Sequence, residues 1–132
     1  MPRILKILGA AVLVLVVVAG IGRFGIHKMA GDLAAQIPLQ DVNLSELPDG
    51  TWTGHYQIEE SSALVEVDVA DGTIRDIRIL EHHHVRGYAG VGVTARILEE
   101  QQVTVDGMSG ATLSSRVIQK AVEVALTNAA GR

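Results

Sequence analysis

The chain contains no cysteine. That absence excludes a disulfide framework, a thiolate zinc site, a cysteine nucleophile and a cysteine-linked lipid anchor. Aromatic residues are scarce, with one Trp, two Tyr and one Phe making up 3% of the chain, so few side chains can stack on a flat ligand. Acidic residues are missing from the first 29 positions, which hold Arg3, Lys6, Arg23 and Lys28. Residues 30–132 reverse the balance, with fifteen acidic against seven basic residues and a net charge of −8. A body of that sign repels phosphate backbones, so nucleic acid is excluded as a partner.

What the first segment does have is an uncharged run from Ile7 to Gly22, dominated by Val, Leu, Ala and Ile. As a helix these 16 residues reach about 24 Å, short of the roughly 30 Å hydrocarbon core. Extension from Ile4 to Phe24 closes the gap if Lys6 and Arg23 snorkel to the interfaces. No face of the run is polar, which argues against a buried core helix. Residues 1–28 therefore read as an N-terminal transmembrane anchor. The competing reading is a signal segment cleaved near Val17-Val18-Ala19. Basic residues flank both ends, so charge leaves the orientation open, whereas both export readings place the body outside the cytoplasm.

Lys28 to Gln36 can prolong the helix until Ile37-Pro38 ends it, because proline disfavours helix at the residue before it. Residues 29–48 read as a linker and 49–128 as the domain proper. From Asp49 the texture is β. Thr51 to Tyr56 is rich in β-branched and aromatic residues. In Ser62–Ala70, Ala63, Val65, Val67 and Val69 share one face, with Glu66 and Asp68 on the other. Asp71-Gly72 is a two-residue hairpin signal, and Thr73 to Glu81 is the return strand, where the out-of-phase Ile74 marks a bulge. Three strands with one apolar face need a cover, and two helical stretches supply it. Gly90 to Gln101 is the first. Leu113 to Thr127 is the second, with Leu113, Val117, Ala121, Val124 and Ala125 on one stripe, widened by Ile118 and Val122, and with Ser115, Gln119, Lys120 and Glu123 facing away. Val103-Thr104-Val105 is a possible fourth strand. The expected fold is α+β, a small antiparallel sheet covered by two helices and preceded by one N-terminal transmembrane helix.

Between the helices lies the loop Asp106-Gly107-Met108-Ser109-Gly110-Ala111-Thr112. It carries an acid, flexible glycines and two hydroxyls beside a helix start, where unpaired amides and a partial positive charge suit a phosphate group. The ordinary reading of such a Thr is a plain helix cap.

Asp106, Ser109, Gly110, Ala111 and Thr112 match, position for position, the D-x-x-S-G-A-T pattern of the FMN-binding domain family, which this chain resembles. That family includes the C subunit of the sodium-pumping NADH:quinone oxidoreductase and the G subunit of Rnf-type complexes. Further resemblance lies in Asp49-Gly50-Thr51-Trp52-Thr53-Gly54, which looks like the family's opening strand. Asp71-Gly72-Thr73-Ile74 looks like its hairpin, and Leu113-Ser114-Ser115 with Ala121-Val122 like its closing helix, so the likeness runs over about residues 49–126. The resemblance implies covalent FMN, joined by a phosphoester to the Thr112 hydroxyl by a flavin transferase that draws on FAD outside the cytoplasm. The charge of that phosphoester would fall to the amides of the last helix and to the Ser114 and Ser115 hydroxyls. Gly110 and Ala111 would leave room for the transferase. Two roles are open to Asp106, holding magnesium during attachment or folding the loop. Trp52, Tyr56, Tyr88 and Met108 are the candidates for contact with the flavin ring, although Trp52 reads more simply as a core aromatic.

His82-His83-His84 offers imidazole donors, yet neighbours on an extended chain point to opposite faces, so this run reads as a solvated loop after the third strand. The run Arg86 to Gly92 is glycine-rich but fits neither G-x-G-x-x-G nor the Walker pattern; it resembles a stretch ahead of the family's middle helix. Glu59-Glu60, Glu99-Glu100 and Asp68 read as solvated faces. The expected protein is thus a single-pass, membrane-tethered flavoprotein module with its FMN domain on the extracytoplasmic side. It would exchange electrons with donor and acceptor proteins or a quinone, and it has no acid–base pair of its own for catalysis. The alternatives are a domain that binds FMN without a covalent bond and a flavin-free membrane-anchored adaptor.

Overall fold

A computed structural model describes the backbone of residues 2–83, 90–107 and 111–131, and the side chains of these except residues 2 and 22–30. The chain divides into two compact units, Met1–Asp32 and Leu33–Arg132. Helix α1 runs Pro2–Ala35. Within the first unit, Arg3–Ile21 has a mean hydropathy of 2.8 and none of its surface is buried. It is long and apolar enough to cross a membrane.

The second unit is an α+β fold. Strands β1 (Gly50–Ile58), β2 (Ser61–Ala70) and β3 (Thr73–His83) form an antiparallel sheet in chain order. Helices α2 (Val93–Glu100) and α3 (Thr112–Ala130) follow. In β2 every second residue is buried from Ser61 to Val69, and this is the face on which α3 lies. The Asp71-Gly72 hairpin has φ of +54° and +68°, the positive pair that matches the twist of the flanking strands. Arg75 is the extra residue of a bulge, since Asp68 pairs with Asp76 but Val69 with Ile74. The shift turns Ile74 into the core, where it is 2% exposed. At the other end β3 runs to His83 instead of stopping at Glu81, so His82 and His83 belong to the strand, His82 Nδ1 lying 2.9 Å from the Ser62 carbonyl. Glu59 and Glu60 are the exposed turn between β1 and β2.

Gly54 explains how closely the helix approaches the sheet. A Cβ there would stand 2.0 Å from the Ala121 carbonyl oxygen and 2.5 Å from the Ala125 nitrogen, so only a residue without a side chain lets the two backbones meet. Asn128 Nδ2 donates to the Thr53 carbonyl at 3.1 Å alongside. On the far face Arg78 bridges Glu66, Asp68 and Asp76, while the Thr51 hydroxyl donates to Asp68 at 2.8 Å. Hydrogen bonds from Arg78 and then Thr51 hold the Asp68 carboxyl below its usual range.

Two further expectations, on residues 103–105 and on the polar face of α3, need correction. Residues 103–105 form no strand, although their backbone groups are satisfied. Val103 and Thr104 N–H donate to Asp41 Oδ1 at 2.9 and 3.0 Å, and Gln119 Nε2 donates to the Val103 and Val105 carbonyls at 2.8 Å. Side chains take the place of a neighbouring strand. Nor does α3 have a solvent face at Ser115, Gln119 and Glu123, all of which are buried, whereas Val124 is only half-buried. Gln119 is consumed by the 103–105 segment, and Glu123 accepts the Gln40 N–H at 3.0 Å and the Lys120 ammonium at 2.9 Å. Residues 37–48 supply part of this cover: Ile37 and Leu47 are buried.

Helix α2 is shorter than its apolar pattern, beginning at Val93 after Gly92. It ends where Gln101 takes a left-handed φ of +54°. The Gln101 side chain then accepts the Ile74 N–H at 2.8 Å and donates to the Ile74 carbonyl at 3.0 Å, joining α2 to the bulged start of β3.

Candidate functional site

The loop leading into α3 is held from three directions. Asp41 and Gln119 fix its stem at residues 103–105, as above. Arg96, on α2, donates from Nη1 to the carbonyls of Asp106 and Gly107 at 2.8 and 2.9 Å. Hydrogen bonds from a charged donor are the stronger kind, so the guanidinium is a clamp on the first turn of the loop. The Thr104 hydroxyl donates to Asp41 Oδ2 at 2.6 Å, and this bond holds the Asp41 carboxyl below its ordinary value against an opposing push from burial.

Thr112 is the first residue of α3, and its hydroxyl does not cap the helix. The cap position belongs to Ala111, and no side chain bonds the first amides from there. Thr112 is exposed, while its neighbours Ala111 and Leu113 are 5% and 7% exposed. The ordinary reading of a Ser or Thr before a helix, a cap spent on the backbone, therefore does not describe this residue. Its hydroxyl bonds to no described residue, and no described side chain caps the helix start, where amides carry a partial positive charge.

A cavity of about 250 Å³ opens next to Thr112. The loop contributes Thr104, Val105, Asp106 and Gly107, and α3 contributes Thr112, Arg116 and Gln119. Its volume falls below the roughly 300–1,000 Å³ that encloses a drug-sized ligand. Such a space takes one end of a cofactor and leaves the remainder outside.

The structure thus brings Asp106 and Thr112 together on one cavity. It sends Ser114 and Ser115 elsewhere: they are 5% and 0% exposed and lie beneath two glycines. A Cβ at Gly90, where φ is +67°, would stand 2.8 Å from the Ser115 nitrogen, and one at Gly107 would stand 3.2 Å from Ser115 Cβ. These serines let the two loops close over the helix start and do not line the cavity. Met108, Ser109 and Gly110 lie outside the described residues, as do Tyr88 and His84. Trp52 is half-buried on β1 opposite Val67. Its neighbour Thr53 meets α3 at Asn128, sixteen residues from Thr112 and about 24 Å along the helix axis. Trp52 is a half-buried aromatic near the far end of α3. Among the described residues no three His, Asp or Glu side chains group to hold a metal.

Arg96, Arg116 and Gln119 were not singled out by motif or periodicity. Arg96 sits on a short helix whose pattern says nothing of its neighbour loop, and Gln119 follows the polar spacing of an exposed face. Only Arg116 carried a signal, its spacing of four residues from Thr112, which places both on one helix face.

The search of curated proteins and the search of solved structures returned no match to the chain. The family model for the FMN-binding domain matches residues 60–127, from the turn before β2 through most of α3, including the loop and its cavity. With more than half of the chain covered, this protein belongs to the FMN-binding domain family.

Proposed function

We propose that this protein is a membrane-tethered, extracytoplasmic electron-transfer module that carries FMN through a phosphoester at Thr112. The observation that carries the reading is the state of Thr112, an exposed hydroxyl on a cavity, unused as a cap, at a helix start that no described side chain caps. The residues present fit the group. Attachment would form a bond between Thr112 Oγ and the flavin-side phosphorus of FAD and break the pyrophosphate link. AMP would leave, and the hydroxyl proton would pass to a base on a flavin transferase. The phosphodiester would keep one negative charge beside the α3 amides. Bound FMN supplies the redox chemistry, and the protein supplies position and electrostatics.

The roles of the remaining residues follow from their places. Asp106 stands on the cavity for either of its two uses, metal binding during attachment or shaping the loop. Arg96 holds the loop's Asp106 and Gly107 carbonyls. The small cavity and the scarcity of aromatic side chains leave the ring accessible to a protein or quinone partner. Helix α1 would supply the tether, and export of the chain behind this apolar segment would put the body outside the cytoplasm.

The test is intact-mass spectrometry of the full chain co-expressed with an active flavin transferase. The expected result is a mass gain of one FMN less water, absent in Thr112→Ala. No gain, with a control substrate loaded by the same transferase, would refute the covalent bond. Flavin that co-purifies with Thr112→Ala and is released on denaturation would instead identify a reversible FMN binder. An intact mass that lacks the first residues would show cleavage and replace the tether with a signal segment.

A further inference from the structure

We propose that Arg116 is the phosphate-reading residue of this site, the side chain by which the protein distinguishes phosphorylated from unphosphorylated flavin. The inference rests on the reading that the cavity beside Thr112 takes FMN. Arg116 lines that cavity, one helical turn beyond Thr112, so the two side chains leave the same face of α3 at a Cβ separation of about 5–6 Å.

Its charge is unspent. In the second unit, Arg78 engages three carboxylates, Arg96 two carbonyls, Lys120 the Glu123 carboxylate and Arg75 the Asp71 carboxylate. Arg116 makes no hydrogen bond or ion pair with any described residue, although Asp106 lines the same cavity. A half-buried guanidinium left over in a body of net charge −8 is not explained by surface neutralisation. The planar fork matches two phosphate oxygens at once, and it would offset the repulsion between a phosphate and the Asp106 carboxylate. A flavin ending in a neutral ribityl hydroxyl has nothing for this fork to grip.

The experiment uses the full chain in detergent, unloaded and loaded, as wild type, Arg116→Gln and Arg116→Lys. Flavin fluorescence follows titration of the unloaded forms with FMN and with riboflavin. One charge-assisted pair lost at a partly exposed site should weaken FMN binding about tenfold in Arg116→Gln. Riboflavin binding should not change, and Arg116→Lys should recover part of the loss. Equal weakening of both flavins, no weakening of either, or no FMN binding by wild type would overturn the proposal. In the loaded forms, the phosphorus NMR resonance of Arg116→Gln should move towards that of the unfolded loaded chain. Slower loading with an unmoved resonance would mean that Arg116 docks the transferase, and this too would overturn it. Failure of wild type to load refutes the covalent reading alone, because the FMN and riboflavin titrations still decide Arg116. Since Arg116 bonds to no described residue, the thermal midpoints of the three forms should coincide.

Discussion

At Gly54 one missing methyl decides how the domain is layered. The position lies within a β-branched and aromatic strand, where glycine costs backbone entropy and leaves no side chain to pack. The cost is met by direct seating of α3 on β1, with backbone atoms of Ala121 and Ala125 occupying the space a Cβ would need. These atoms are not the flexible ends of side chains, so neither partner can swing aside. Gly54→Ala should therefore destabilise the domain by at least the ~3 kcal/mol upper end of ordinary overpacking. Urea unfolding of the two forms would check this, read as a fall in midpoint at unchanged slope. A change within experimental scatter would show that α3 slides along the sheet without penalty. Thr112 is decided on the same scale: because Ala111 takes the cap position, the next residue keeps its hydroxyl.

Among the elements, α3 and the segment 103–107 form one polar-stitched unit. The segment bends at Val103, where the Val105 N–H closes on the Val103 carbonyl at 2.9 Å, and Asp41, Gln119 and Arg96 take up its other bonded amides and carbonyls. This arrangement makes the site sensitive to acid. The Asp41 carboxylate is held below its ordinary value of 3.8, chiefly by the Thr104 hydroxyl. A lowered folded-state value means that ionised Asp41 favours folding. Its contribution is complete above the unfolded-state value and is lost as pH falls through the lower folded-state one. Thermal unfolding of wild type and Asp41→Ala should show a gap in midpoint at pH 7 that closes only below pH 3.8. A gap that stayed constant to pH 2 would mean the carboxylate charge has no part in holding the loop stem. Residues 37–48 lie within the second unit and are structural there, since Gln40 and Asp41 fasten to Glu123 and to the stem of the loop.

For the molecule as a whole, the two compact units have opposite chemistry. One is a basic, apolar helix with its hydrophobic side chains exposed; the other is acidic, with its apolar residues folded inside. By length and composition, an exposed apolar helix of that kind could span a membrane. After alkaline carbonate washing, the full chain should remain in the membrane pellet, and removal of residues 1–32 should release the body to the supernatant. Release of the full chain would count against a spanning anchor.

Much of the fold was legible from single residues. Alternation in β2, the Asp71-Gly72 turn and the out-of-phase Ile74 each report a local geometry, because side-chain direction and φ are set within a few bonds. The motif from Asp106 to Thr112 likewise identified the family, since its residues lie next to one another in the chain. What the sequence left undecided was every pairing across long separations. Gln119 and Glu123 read as exposed because helical spacing shows only one partner for a helix, the sheet, while residues 37–48 and 103–107 cover its other side. Ser114 and Ser115 were expected at the phosphate because they stand beside Thr112 in the chain. Helical rotation instead carries them beneath Gly90 and Gly107 and brings Arg116, one turn further on, round to the cavity. Adjacency along the chain determined which residues belong to the loop. Only tertiary packing decided which of them share its cavity, since that depends on the helix face left open once the sheet, α2 and the connecting segment are in place.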